Sequence, residues 1–282
     1  LPSKLLPRIL DYGYQNSDLR DNIVKIVGNR GAWLAQFNKT WQYVINRQQD
    51  SDKNIWENGN QEQRLVFISN LRSKDPHEAR KLTNEILKDL DARERAKILD
   101  KFFIGICPED ESFIVAQLND RSKEVRATAA NLLTHLPNSA FVSRQQERIQ
   151  LCLKQERKLI RKHWVLEPPE TYAPDWATDA IEEKKSQHET LGPRAWWFYQ
   201  IASAVPLSWW ENHTKLSPTE LINWAIASDW MLALLRAWHQ TLLREKNINW
   251  AEAFLKKMPF KDFSFDEISL ISILPQKQSE EQ

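Results

Sequence analysis

The sequence predicts an all-α protein, arranged as an α-solenoid of stacked antiparallel helix pairs. Three observations carry this expectation. Helix-start signals recur at short intervals, apolar stripes of helical period follow them, and glycine is scarce, at six residues in 282. Scarce glycine suits helices joined by short turns and argues against β-rich folds and glycine-rich phosphate loops. No segment shows sustained period-2 alternation with β-branched residues.

Taken in order, residues 5–14, 19–27 and 33–45 read as helices. Gly28-Asn29-Arg30-Gly31 separates the last two as a helix C-cap and turn. From Asn46 to Asn60 the chain is polar, with Trp56 as an anchor, and helices are expected from about 61 to 153. Asp75-Pro76-His77-Glu78 places an acceptor at N-cap, proline at N1 and glutamate at N3, a capping box. Asp91 with Glu94, Ser217-Pro218-Thr219-Glu220, Asn249 with Glu252, and Ser264 with Glu267 repeat it. The starts at Asp75, Asp91, Pro108 and Ser122 lie 16, 17 and 14 residues apart, so a two-helix unit takes roughly 30 residues, as in helical repeats.

The clearest unit is 119–137. Val125, Ala129, Leu132, Leu133 and Leu136 fall on one helix face, Ser122 can cap the first turn, and Glu124 suits the positive end. A polar turn, then Val-Arg, then this stripe looks like the second helix of a HEAT-type repeat. Such repeats stack into long binding surfaces. Asp120 and Arg126 are expected to bond between neighbouring repeats and orient them.

The expected organisation is an N-terminal HEAT-like helical block at 1–163, a Pro-rich irregular connector at 164–192 anchored by Trp164 and Trp176, a C-terminal Trp-rich helical block at 193–275, and a polar tail at 276–282. Pro193 fits N1 of a helix that ends at Val205-Pro206. Further helices are expected near 217–227, 230–245, 249–257 and 264–274.

Hydrophobic residues are 41% and charged residues 27%, a soluble globular balance. A net charge of +1 gives no long-range attraction to nucleic acid or anionic membrane. Two cysteines, Cys107 and Cys152, make no disulfide framework and point to a reducing, cytoplasmic compartment. The longest apolar stretch, Trp230 to Trp238, is interrupted by Arg236 and is too short for a membrane span. Because the chain opens on Leu1 inside an apparent helix, it reads as a fragment of a longer protein.

Chemistry-bearing motifs are few. Gly28-Asn29-Arg30-Gly31 lacks the lysine and glycine spacing of a nucleotide loop. The six histidines never pair at i,i+3 or i,i+4, so neither a metal nor a cofactor is expected. No Gly-x-Ser-x-Gly elbow is present. Cys107, before Pro108 at a helix start, could have a lowered thiol pKa, although a buried core cysteine is the commoner role. The balance favours a non-enzymatic protein.

Two candidate binding features remain. Arg144, Arg148, Lys154, Arg157, Lys158, Arg161 and Lys162 form a basic run that could contact phosphates. Its plainer reading is the solvated face of an amphipathic helix around Leu151, Leu159 and Ile160. The second feature is the tryptophans: nine of thirteen lie after residue 170. In Trp196-Trp197 and Trp209-Trp210, adjacent residues point about 100° apart, so one helix face cannot bury all four rings. With Arg194 these are candidate partner-binding residues; the alternative is that they lock the connector onto the helices.

As a set, Gly28-Asn29-Arg30-Gly31-Ala32-Trp33-Leu34, Ile55-Trp56-Glu57-Asn58-Gly59, Leu71-Arg72-Ser73-Lys74-Asp75-Pro76, Asp120-Arg121-Ser122-Lys123-Glu124-Val125-Arg126 and Gly192-Pro193-Arg194-Ala195-Trp196-Trp197 resemble an uncharacterised bacterial family of HEAT-like helical proteins, a domain of unknown function. The resemblance covers residues 1 to about 258 and brings no catalytic residues with it. One departure is Lys39, where the family usually has the proline of an Asn-Pro-x-Trp turn. The family's gene context, with MoxR-type AAA ATPases, von Willebrand-type domain proteins and SWIM zinc-finger proteins, implies a place in a multi-protein system. The expected function is therefore a scaffold or adaptor that binds another protein, an AAA ATPase or a von Willebrand-type domain protein among the implied partners. The alternative is a nucleic-acid-binding protein similar to HEAT-like DNA glycosylases. On the first expectation, Trp196→Ala or Trp197→Ala breaks a complex without unfolding the chain.

Overall fold

The computed structural model describes residues 2–16, 19–45, 55–158, 161–257 and 267–275. The chain is mostly helical and divides into two compact units, Leu1–Lys81 and Leu82–Gln282.

In the first unit, α1 (Leu6–Gln15) packs on α2 (Arg20–Ala35) around Leu6, Leu10, Ile23, Val27, Ala35 and Val44. The expected break falls at Gly28, whose φ of 55° kinks α2; this left-handed region favours glycine. The helix expected over 33–45 stops at Ala35. Asn38 instead accepts from Thr40 N at 3.0 Å and caps a short 3-10 turn, Lys39–Trp41. The turn is tied to α1 by Trp41 Nε1, which donates to Asp11 Oδ1 at 2.7 Å. Trp56, the expected anchor, is buried. The unit continues through α3 (Gln61–Lys74), capped by an Asn60/Gln63 box, and ends within α4 (Pro76–Ile86) at Lys81.

The second unit, which takes in the end of α4 from Leu82, continues with α5 (Ala92–Asp100), α6 (Glu111–Gln117) and α7 (Lys123–Leu133); α5 and α6 both pack against α7. The stripe of α7 is buried as its period requires, with Val125, Ala129, Leu132 and Leu133 all inaccessible. Asp75 and Asp91 cap their helices at 3.0 and 2.8 Å, as expected. The Ser122 side chain makes no cap bond; Asp120 Oδ1 takes the Ser122 N–H at 2.7 Å instead.

The Asp120 linkage also differs in its partner. Asp120 receives a two-pronged bond from Arg95 of α5, Nε and Nη2 at 2.9 and 2.8 Å, while Arg126 donates to the backbone carbonyls of Asp120 and Arg121, at 2.7 and 3.1 Å. Burial works against ionisation of Asp120, but the Arg95 fork and the Ser122 N–H outweigh it and hold the carboxyl below its ordinary pKa. Arg95→Ala is expected to cost about 1.5–3 kcal/mol, since it strips charged hydrogen bonds from a buried site, and the urea midpoint would show it.

α8 (Ala140–Cys152) is followed by a surprise. Strands β1 (Leu153–Lys158) and β2 (Arg161–Leu166) pair antiparallel, from Leu153↔Leu166 to Lys158↔Arg161. The amphipathic helix expected through the basic run is therefore corrected to a hairpin; Leu151 is exposed, and Leu159 and Ile160 lie outside the described residues. Lys-Gln-Glu-Arg-Lys has no β-branched residue to announce a strand. Tertiary contacts decide it. Trp164 Nε1 donates to Thr214 O at 3.1 Å, Trp224 Nε1 donates to Trp164 O at 2.8 Å, and buried Leu153 and Leu166 close the base of the hairpin. β2 is thus fixed to the helices that follow, and β1 satisfies its backbone groups.

The remaining helices are α9 (Pro193–Ala202), α10 (Leu207–Thr214), α11 (Pro218–Ile226), α12 (Met231–Glu245), α13 (Ile248–Lys257) and α14 (Glu267–Ile271). Pro193 stands at the start of α9 and the Ser217/Glu220 box opens α11, as expected. α10 was not anticipated as a separate helix. α13 is capped by Asn247, which accepts from Trp250 N at 3.2 Å, rather than by Asn249. Ser264 lies outside the described residues. One apolar core runs from Ile149 to Leu270. Leu166, Trp176, Ile181 and Leu191 of the connector segment are part of it, beside Trp197, Trp210, Trp238 and Trp250.

Candidate functional site

α8 presents Arg144 and Arg148 one turn apart, so both reach the same neighbour. That neighbour is Asp179, at the end of a 3-10 segment, Pro174–Asp179. Asp179 accepts from Arg144 at 3.1 and 2.5 Å, from Arg148 at 2.6 Å and from Gln145 at 3.1 Å, and its side chain is 1% exposed. Burial opposes its ionisation, yet the two guanidinium groups prevail and lower its pKa from the ordinary 3.8. The first two residues of the basic run thus hold the connector to α8.

The others lie on the hairpin. Lys154 pairs with Glu167, Arg157 is exposed, and the side chains of Lys158, Arg161 and Lys162 lie outside the described residues. The Cys107 thiol is shifted up rather than down: partial burial, a bond to Glu109 and the charge of Asp110 all disfavour the thiolate.

The tryptophan pairs separate into inner and outer members. Trp197 is 9% exposed, packs against Trp176 and Tyr172, and donates from Nε1 to Glu183 O at 2.8 Å. Arg194 donates to the carbonyls of Pro168 and Pro169 and lies over the Trp230 ring. Both residues fasten the connector, so Trp197→Ala would remove core rather than surface, contrary to the expectation that it leaves folding intact. Trp210 is fully buried, edge-on to Trp238 at 5.2 Å. The outer members are Trp209, stacked on His213 at 4.6 Å, and Trp196, stacked on Tyr199 at 5.6 Å.

Trp196 lines a cleft of about 290 Å³ bounded by α7, α8, α9, α12 and the segment 179–182. Two polar stripes meet there. Trp196, Tyr199, Gln200 and Ser203 follow helical spacing on α9; Gln240 and Arg244 do so on α12. Gln200 bonds both backbone groups of Glu182, at 2.8 and 3.1 Å, and the Tyr199 hydroxyl donates to Gln240 at 2.6 Å. Arg236 sits 4.8 Å above the Tyr199 ring and is held by both oxygens of Glu189. Arg244 Nη1 donates to Ser203 O at 3.0 Å. Burial lowers its pKa, and its charge helps burial depress the pKa of His135.

Two residues that line the cleft carry an unmet donor. Arg244 Nη2 and Trp196 Nε1 are buried with no acceptor among the described residues. Each such group costs about 1–3 kcal/mol. Trp210 and Trp238 share this lack, but their rings are sealed in the core, whereas Trp196 and Arg244 border open space. Arg244 and Tyr199 were not singled out from the sequence. The available signal was the polar row Arg236, Gln240, Arg244 along an otherwise apolar helix.

Fold and site together define a mostly helical protein with an aromatic, arginine-bearing cleft. Among the described residues no three His, Cys, Asp or Glu side chains converge to hold a metal, and no helix is long and apolar enough to cross a membrane. The chain belongs to the Family of unknown function (DUF5691), which matches residues 1–282. No curated protein and no solved structure matches it.

Proposed function

We propose that this protein is a non-enzymatic cytoplasmic adaptor, built as a HEAT-like solenoid, that holds another protein at the cleft lined by Trp196, Tyr199 and Arg244. The observation that carries the reading is the position of Trp196. Its neighbour Trp197 is spent on the core, while Trp196 borders open space with an unmet N–H. Trp, Tyr and Arg are the residues that dominate protein-binding hot spots. The packing of α5 and α6 on α7, joined by the Arg95–Asp120 pair, fits the paired helices of a repeat array. The family resemblance adds a partner class, an AAA ATPase or a von Willebrand-type domain protein.

Capture on the tagged chain from host lysate tests this reading. After nuclease treatment, a defined protein is expected to remain bound in a fixed ratio. Finding the chain alone in every native complex would end the proposal. For an ATPase partner, unchanged ATPase rate and assembly on adding the protein would remove that particular form.

Nucleic-acid binding, the second reading, has a narrower basis. Arg144 and Arg148 are committed to Asp179 and Lys154 to Glu167, so the hairpin's Arg157, Lys158, Arg161 and Lys162 would have to carry it. It requires affinity for duplex DNA that falls as salt rises; no binding at low salt disposes of it.

A further inference from the structure

We propose that the Trp196 cleft binds a carboxylate carried by a peptide segment of the partner, with Arg244 as its counter-charge. This rests on the adaptor reading and names the chemistry of the occupant.

The charge balance of the cleft wall points to it. Asp179 is matched by Arg144 and Arg148, and Glu182 by Lys123 Nζ at 2.8 Å. Arg244 alone on this wall keeps a charge with no ion pair among the described residues; its one bond is to a backbone carbonyl. Glu245, next in the chain, acts on Arg244 through its charge without pairing with it, and directs its oxygens to the Leu207 N–H at 3.3 Å. The contrast with Arg95, Arg144, Arg148 and Arg236, each held by a carboxylate, is direct. An arginine keeps its charge even where burial lowers its pKa, and its fork of donors matches a carboxylate in shape. Trp196, whose buried Nε1 has no acceptor among the described residues, lines the same cleft.

Size and surroundings narrow the choice. The cleft, about 290 Å³, sits at the small end of ligand sites, which run about 300–1,000 Å³. It suits one side chain or a chain end and not a nucleotide. Ala127, Phe141 and Ala204 give apolar wall for the rest of the bound residue. Asp179 and Glu182 also border the cleft, so a dianionic phosphate would meet like charge, whereas a single carboxylate meets less.

Three sets of fluorescent hexapeptides test the proposal by polarisation with the whole chain. One set has free C-termini and no Asp or Glu. The second is C-terminally amidated with one Asp or Glu at each position in turn. The third is amidated, with Asn or Gln in place of the acids. Members of the first or the second set are expected to bind at least about tenfold more tightly than their uncharged counterparts, and which set binds distinguishes a chain end from an acidic side chain. Arg244→Gln is expected to erase the preference, and Trp196→Phe, which keeps a ring and removes the N–H, to weaken binding severalfold. Binding indifferent to the carboxylate, or no binding by either carboxylate set, overturns the proposal. The comparison of peptide sets on the unaltered protein decides even where Arg244→Gln fails to fold. A partner retained from lysate alongside indifferent peptides would leave the adaptor reading standing and end only the carboxylate.

Discussion

Asp179→Ala is expected to lower folding stability by about 3–5 kcal/mol, because it leaves two guanidinium groups without their buried counter-charge. The effect should exceed that of an ordinary surface acid, since the carboxylate is enclosed and accepts from Arg144, Gln145 and Arg148 together. Denaturant melts would give the change. A shift within the error of a surface substitution would mean that the connector is held by its apolar contacts alone. The pH dependence has a defined sign. The pKa of Asp179 is lower in the folded chain than its ordinary 3.8. Its stabilisation is therefore complete above that value and is lost as pH falls through the folded one. Asp120 contributes in the same direction, and so does Glu189, whose pKa the Arg236 bond lowers from 4.5. Acid unfolding of Asp179→Asn should be correspondingly shallower below pH 3.8.

Trp210→Ala is expected to cost about 3–5 kcal/mol, the range for emptying a large aromatic site in a closed core. Trp210 is wholly inaccessible, meets Trp238 edge-on, and Trp238 in turn meets Trp250 at 5.3 Å, so one deletion opens a row of three rings. Trp210→Phe should recover much of the loss. It keeps an aromatic body and removes an indole N–H that has no acceptor among the described residues. Equal losses for the two variants, read from their urea midpoints, would contradict this account of the core.

The helical elements were legible because their signals are local. The stripe of α7, the N-caps at Asp75 and Asp91 and the box at Ser217 need only residues within a few turns, and the structure has them. The hairpin was not legible. Its strands read as helical by composition, and what makes them strands is Thr214 and Trp224, 50 and 60 residues away from Trp164. The basic run illustrates the same limit. Spacing grouped seven cations, but only the distant Asp179 shows that two of them are internal ties. The adjacent tryptophans gave the correct inference that rings must diverge. Which ring turned inward depended on Glu183 for Trp197 and on Trp238 for Trp210. The cleft itself needed two helices, α9 and α12, brought side by side.

The most direct test of the central claim is to measure stability and partner capture together for Trp196→Ala. Trp196 borders the cleft and is outside the sealed core, so the variant should melt within a few degrees of the natural protein. It should nevertheless lose the protein that the natural chain retains from nuclease-treated lysate. Capture of that same protein, undiminished, by a folded Trp196→Ala chain would contradict the assignment of the cleft as the binding surface.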